Sequence, residues 1–448
     1  MTRHVFLTLA TGLLLLTVEQ GEAAAQQAVS GPIAANDLAV SPDAPCLDFR
    51  DALTLGARLA PGVQVAQARL SESQADLTEA RSLYRPQVST FLRTGLGSSD
   101  LSDNRIQNQA GVRGSQRLFD FGDSHFARAA ARAAIAAREK EIEGAQTAAA
   151  LGAGGDYLGW LELGERLEAT REREAYFARQ LLSTTDLIDT GGATIADRAD
   201  IEAQLLEAQS SRIELEFTRA RFAKRLAINI RSSAAPCAVG GVSATLSETV
   251  SPILAPDFNL DAAIDANPEI LALRRTADGM DAQASREARS RYPILSLSGV
   301  ASYADGNVSG DGGLISRMGI DLTMPLYTGS AQAARVAAAR ARTDQSLARV
   351  AERRRELEEI AAVGILRVNA LRAQVERREK ARQARADQFA AAERQFGVGL
   401  RTLPELIQIR LQFEASELER IDSRYTLLNE ELSLSSVVGQ LRSLADSR

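Results

Sequence analysis

The sequence predicts a mainly α-helical chain with a small β part, built from one helix–strand–strand–helix–helix unit used twice. Long stretches of Ala, Arg, Glu and Leu run without proline, the longest from Thr328 to Gln395, about 68 residues or roughly 100 Å of helix. Short stretches alternate apolar and polar residues with the period-two pattern of half-solvated strands. The two halves also repeat. Ala60-Pro61-Gly62-Val63 matches Asn267-Pro268-Glu269-Ile270, and Tyr84-Arg85-Pro86 matches Arg291-Tyr292-Pro293, at an offset of 207. Leu118-Phe119 matches Leu326-Tyr327, Gly191-Gly192-Ala193-Thr194 matches Gly399-Leu400-Arg401-Thr402, and Gln204 matches Gln412, at 208. One inserted residue between positions 86 and 118 relates the copies, and so constant an offset marks a duplicated structural unit.

In chain order, residues 1–25 read as a secretory signal peptide: Arg3 and His4, an apolar run from Val5 to Leu16, and the small residues Ala23 to Ala25. Residues 26–45 form an extended N-terminal segment, and residues 46–230 the first repeat. Its opening helix starts near Pro61 and stops at Pro86, which forces the preceding residue out of helical geometry. Strands follow at about 87–97 and 107–119, then two long helices joined by a tip hairpin at about 189–195. Gly152 to Gly155 interrupt the first of them with a cluster that permits either a bend or close helix contact. A Pro/Gly/Ser-rich linker covers 231–256. The second repeat, 257–448, has strands at about 293–303 and 314–325 and a tip hairpin at about 396–404. In its strands Leu295, Leu297, Ala301 and Tyr303 alternate with serines, and Met318, Ile320, Leu322 and Met324 alternate with Arg317, Gly319, Asp321 and Thr323. Leu347, Val350, Leu357, Ala361, Gly364, Val368, Leu371 and Val375 then fall three, four or seven apart, a seam that packs this helix along another.

Composition excludes several functions. The net charge of −6 argues against nucleic acid, and no apolar run after the leader is long enough for a membrane-spanning helix. Past the leader there is one histidine, His125, and no phosphate-cradling glycine motif, so neither a histidine triad nor a multi-histidine zinc site can be built; no enzyme and no cofactor is expected. Trp160, a lone aromatic within a helix, reads as packing or an equatorial contact and not as a site. Cys46 and Cys237 are either a disulfide formed in an oxidising compartment or two free thiols.

Four alternating strands in an exported chain raise a closure problem. Membrane strands must close into a barrel, and single-chain barrels need at least about eight strands, so several copies would share one. Met318, Ile320, Leu322 and Met324 then face lipid. The alternative is a non-porous periplasmic coiled-coil spacer. At this point the sequence resembles the TolC family of outer-membrane export channels over nearly all of residues 46–442. The resemblance rests on the signal peptide, the duplicated unit, the Tyr/Arg-Pro strand starts, Pro325-Leu326-Tyr327-Thr328-Gly329 and, above all, Val398-Gly399-Leu400-Arg401-Thr402.

The resemblance implies a homotrimer in the Gram-negative outer membrane, with four strands per chain forming a 12-stranded barrel continued by a helical tube across the periplasm. It implies that the tips, Gly191, Gly192, Ala193 and Thr194 in one copy and Val398, Gly399, Leu400, Arg401 and Thr402 in the other, dock onto a periplasmic adaptor. It places a gate there: Asp197 and Glu405 ring the aperture, Arg401 latches neighbouring helices, and Phe396 occupies a position often held by tyrosine. A second acidic ring would fall at Gln408, which is uncharged. Energy would come from an inner-membrane transporter, ABC-type or proton-driven, so the chain is a passive duct for type I protein secretion or small-molecule efflux. The plain reading of Asp197 and Glu405 is that of first-turn acids favoured by the helix dipole.

Overall fold

The computed structural model describes residues 46–98, 104–189, 191–232, 234–237, 241–305 and 313–441; the expected signal peptide and extended N-terminal segment lie outside them. Contacts divide the chain into two compact units, one of 1–45 with 232–234 and one of 46–231 with 235–448. In the first, the Ala234 N–H donates to the Ser232 hydroxyl at 3.3 Å. All that follows concerns the second.

Helices α1 (Phe49–Leu59) and α2 (Pro61–Ser82) lead into strands β1 (Gln87–Ser98) and β2 (Asn104–Phe119), then the long helix α3 (Asp123–Asp189) and its return partner α4 (Ile195–Ile230). After α5 (Val242–Val250) and α6 (Leu260–Asp265), the order recurs as α7 (Pro268–Arg289), β3 (Ile294–Asp305), β4 (Gly313–Thr323), α8 (Ala331–Gly397) and α9 (Leu403–Val437). Pro61 and Pro268 each occupy the first helical position, where the missing N–H costs nothing. The linker is not merely a connector. Its α5 sets Val250 and neighbouring Ile253 into a core with Ala361 and Val368 of α8 and Leu434 of α9.

The four strands form one antiparallel sheet in the order β1-β2-β3-β4, leaving β1 and β4 as edges. β4 ends at Thr323, opposite Ile294, because Pro293 has no N–H to continue the ladder; Met324 therefore lies beyond the strand. The register sorts the side chains into two faces. Val88, Leu92, Val112, Leu297, Tyr303, Leu314, Met318, Ile320 and Leu322 share one, while Arg93, Arg113, Ser298, Ser302, Arg317 and Asp321 share the other. Gln109 donates to Ser302 at 2.9 Å and Ser298 to Asp321 across that polar face.

Where β2 becomes α3, Asp120 is buried and accepts hydrogen bonds from the Tyr84 hydroxyl at 2.7 Å, the Ser124 N–H at 2.9 Å, and Arg117 and the Gly122 N–H at 3.2 Å. This knot holds Phe121 at φ 50, a left-handed backbone unusual for an aromatic residue, with its ring stacked on Tyr292.

Helix α3 packs on α1, α2, α4, α7 and α9, and α8 on α7 and α9. Leu357, Ala361, Gly364, Val368 and Leu371 are buried along α8. Leu347 is not: near the start of α8 the covered positions are Ala339 and Ser346, and Leu347 falls off that line. Within the glycine cluster, Gly154 serves close contact, since a Cβ there would stand 2.8 Å from Leu432 and 2.9 Å from Leu53, whereas Gly152 and Gly155 face open space. Cys46 and Cys237 form a disulfide. A parallel bridge pairs Leu47 with Pro236, and the Tyr157 hydroxyl lies 3.2 Å from the Leu47 carbonyl and 3.1 Å from that of Cys237.

Candidate functional site

Both long helices stop in the same way at their shared end. The Gly191 N–H donates to the Ile188 carbonyl and Gly192 to Leu187; 208 residues on, Gly399 donates to Phe396 and Leu400 to Gln395. These paired bonds, with the first glycine left-handed at φ +76 and φ +74, are Schellman caps that close the last carbonyls of α3 and α8. Gly191 and Gly399 are therefore glycine for backbone reasons, whereas Gly192 and Gly397 keep negative φ.

The return helices start in the same way as each other. Thr194 and Asp197 form a capping box on α4, the Thr194 N–H donating to the Asp197 carboxylate at 2.8 Å and the Asp197 N–H to the Thr194 hydroxyl at 3.1 Å. Thr402 and Glu405 form the equivalent box on α9, the Thr402 N–H donating to Glu405 at 3.1 Å. That N–H, and then the Thr402 hydroxyl, hold the Glu405 carboxyl below its ordinary range. Both acids are thus turned back onto their own helix starts, so the helix-capping reading accounts for their geometry within one copy.

The residues between cap and box are presented outward. Val398 and Leu400 are large apolar side chains left 71% and 80% exposed, an arrangement that α8 and α9 do nothing to cover. Arg401 bonds Gln395 of its own tip at 3.0 Å. Phe396 points inward and, like Ala193, packs against a cluster of Tyr176, Phe177, Ile201, Phe389, Leu403, Leu406, Ile407 and Ile409. That cluster draws on α3, α4, α8 and α9, so it fixes the two tips side by side. Gln408 is exposed on α9.

Sequence reasoning missed what lies directly beneath. Arg410 is buried over the rings of Tyr176, Phe389 and Phe413, at 4.8, 5.1 and 5.4 Å, and pairs with Glu414 at 2.7 Å. Arg173 of α3 reaches the same carboxylate at 3.3 Å. Burial pushes Glu414 up, against the pull of Arg410 and Arg173. The signal was present in the sequence as a lone arginine inside the apolar run Leu406, Ile407, Ile409, Leu411. Trp160 lies under the Arg219 guanidinium at 4.0 Å, and His125 meets Phe126 edge-on; neither belongs to a site.

At the opposite end, Met318, Ile320, Leu322 and Met324 are 76%, 67%, 67% and 48% exposed. Among the described residues no helix is long and apolar enough to cross a membrane, and no cluster of His, Cys, Asp and Glu could hold a metal ion.

The family described as Outer membrane efflux protein matches residues 57–227 and 259–440. The chain is 23% identical over 272 residues to outer membrane efflux protein BepC of Brucella suis biovar 1 (strain 1330); the match covers 57% of this chain and 56% of that protein. Among solved structures it is similar to the Campylobacter jejuni CmeC outer membrane channel, with a TM-score of 0.73 at 13% identity, covering 88% of this chain and 85% of that one. It is likewise similar to the Vibrio cholerae outer membrane protein VceC, with a TM-score of 0.72 at 15% identity over 87% and 96% of the two chains. At such identities the structural likeness is one of fold.

Proposed function

We propose that this chain, which belongs to the outer membrane efflux protein family, is the passive exit duct of a three-part export assembly. The protein resides in the outer membrane and extends into the periplasm, and its family is one of channels rather than enzymes. The observation that carries the duct reading is the sheet. A single copy exposes an apolar face that suits lipid but leaves two strand edges open, and those edges are intolerable in lipid until the sheet closes on itself. Three copies supply the twelve strands of such a barrel. Exposed apolar positions on the long helices support the same closure: Leu206, Ile213, Phe217 and Ile228 on α4, and Ile360, Val363 and Leu366 on α8, need neighbours that one copy lacks.

The tips are the docking end. Val398 and Leu400 give a periplasmic adaptor an apolar contact beside exposed glycine backbone, and an inner-membrane transporter, ABC-type or proton-driven, supplies the energy. The aperture is gated there by Arg401, with Asp197 and Glu405 each occurring three times around the threefold axis. Within one copy Arg401 is held by Gln395, and engagement of the tips frees it.

The test is the sensitivity of cells to a large polar antibiotic, vancomycin, that an intact outer membrane excludes. Arg401→Ser at unchanged protein level should leave cells markedly more sensitive than wild type. Equal sensitivity would remove Arg401 from the gate.

A further inference from the structure

The seam between copies can be derived from the duplication, resting on the shared-barrel reading above. Gln87 lies opposite Ser115 in the first hairpin and Ile294 opposite Thr323 in the second. These pairs are related by the sequence offsets themselves, 207 for the first strand and 208 for the second. The two hairpins therefore share one register, and the inserted residue falls in the loop between strands. β3 is the copy of β1, and β4 the copy of β2.

The junction between hairpins is also visible once within the chain. There β2 pairs with β3, setting Arg113 opposite Val300, Gly114 opposite Gly299 and Val112 opposite Ala301. In a barrel of identical chains the next junction joins β4 to β1 of the following copy, and these are the duplicates of β2 and β3. Shifting the observed pairs by the two offsets gives the seam. We infer that β4 pairs antiparallel with β1 of a second copy in the register that sets Asp321 opposite Arg93 of the partner subunit, Leu322 opposite Leu92 of the partner subunit, and Ile320 opposite Thr94 of the partner subunit.

The paired offsets carry each face onto its like, and one check that they do not guarantee, the charges, comes out in favour. The faces agree: Leu322 and Leu92 belong to the apolar face of the sheet, Asp321 and Arg93 to the polar one. A slip of one residue would have crossed them. The charges agree as well. Among the described residues Arg93 has no carboxylate partner in its own chain, and Asp321 accepts from Ser298 alone. A slip of two residues would set Asp321 against Phe91 and Arg93 against Gly319 in one direction, or Asp321 against Gly95 and Arg93 against Thr323 in the other, forfeiting the pair either way. Opposite charges directly across a strand pair stabilise its register.

The experiment is disulfide trapping in the full chain. Directly opposite residues bring Cβ atoms within about 4.5–5.5 Å, diagonal ones only within roughly 7–8 Å. Within one chain β1 and β4 are three strand spacings apart, about 14 Å, so a cross-link between them reports a second copy. Leu92→Cys with Leu322→Cys should give covalent dimers and trimers on mild oxidation, several-fold more than Thr90→Cys or Thr94→Cys combined with Leu322→Cys. Preferential trapping of the Thr90 or Thr94 combination overturns the register and leaves the shared barrel standing. Absence of cross-linking in all three overturns both. As an independent readout, Arg93→Asp or Asp321→Arg alone should lower the temperature at which the trimer dissociates in detergent, and the double reversal should restore it. A double variant as weak as the singles overturns the pair.

Discussion

At the strand-to-helix corner the Asp120 carboxylate gathers donors from Tyr84, Arg117, Gly122 and Ser124. Burial raises its pKa, but the bonds from Ser124, Tyr84 and Arg117 outweigh burial and hold it at about 2, against an ordinary 3.8. A carboxyl depressed on folding lends stability that is complete above its unfolded value and is lost as pH falls toward the folded one. Its contribution is therefore whole above pH 4 or so and fades between there and about pH 2. Asp120→Asn turns an acceptor-only group into one that brings donors of its own, and should cost about 1–3 kcal/mol at neutral pH. The thermal midpoint of the variant should also flatten between pH 4 and 2, where the wild type declines. An unchanged midpoint and slope would show that the corner does not depend on this carboxylate. The tip acids teach a related lesson. The sequence marks Asp197 and Glu405 as first-turn acids favoured by the helix dipole, and the structure adds that each closes a capping box, with Thr194 and Thr402 respectively.

Among the elements, helix contact is set by small residues as much as by leucine stripes. Gly56 of α1 lies against α3 so closely that a Cβ would meet the Cβ of Ala153 at 2.7 Å and the Ala149 carbonyl at 3.1 Å, atoms that cannot swing aside. Gly56→Ala should therefore destabilise by about 1–2 kcal/mol, overpacking outweighing the gain in helix propensity. Chemical denaturation followed by helical circular dichroism checks this, and a stabilised variant would mean α1 can lift without loss. The strands and long helices were visible from period and proline placement, because each residue in them reports its own neighbourhood. α1, α5 and α6 were not: they are 11, 9 and 6 residues long, too short for a periodic signal, and are held by contacts with helices remote in sequence. Arg410 stands out locally as a lone arginine in an apolar run, but what buries it was hidden for the same reason. Its partners Tyr176 and Phe389 lie on other helices, and no local pattern announces them.

For the molecule as a whole, the features left unsatisfied in one copy point the same way. When copies close around a common axis in a membrane, the open edges of β1 and β4 pair, the exposed apolar positions of α4 and α8 find neighbours, and the apolar face carrying Met318, Ile320 and Leu322 meets lipid. The polar face then lines the lumen, carrying Arg93, Arg113 and Arg317. Duplication makes such closure economical, since one kind of strand junction serves within and between chains. Conductance of the purified full-length chain in planar lipid bilayers tests the central claim most directly. The account predicts insertion with discrete, small and flickering steps from a duct that is narrow at its periplasmic end. Folded, membrane-extracted protein that reproducibly fails to conduct would contradict it and favour a non-porous spacer.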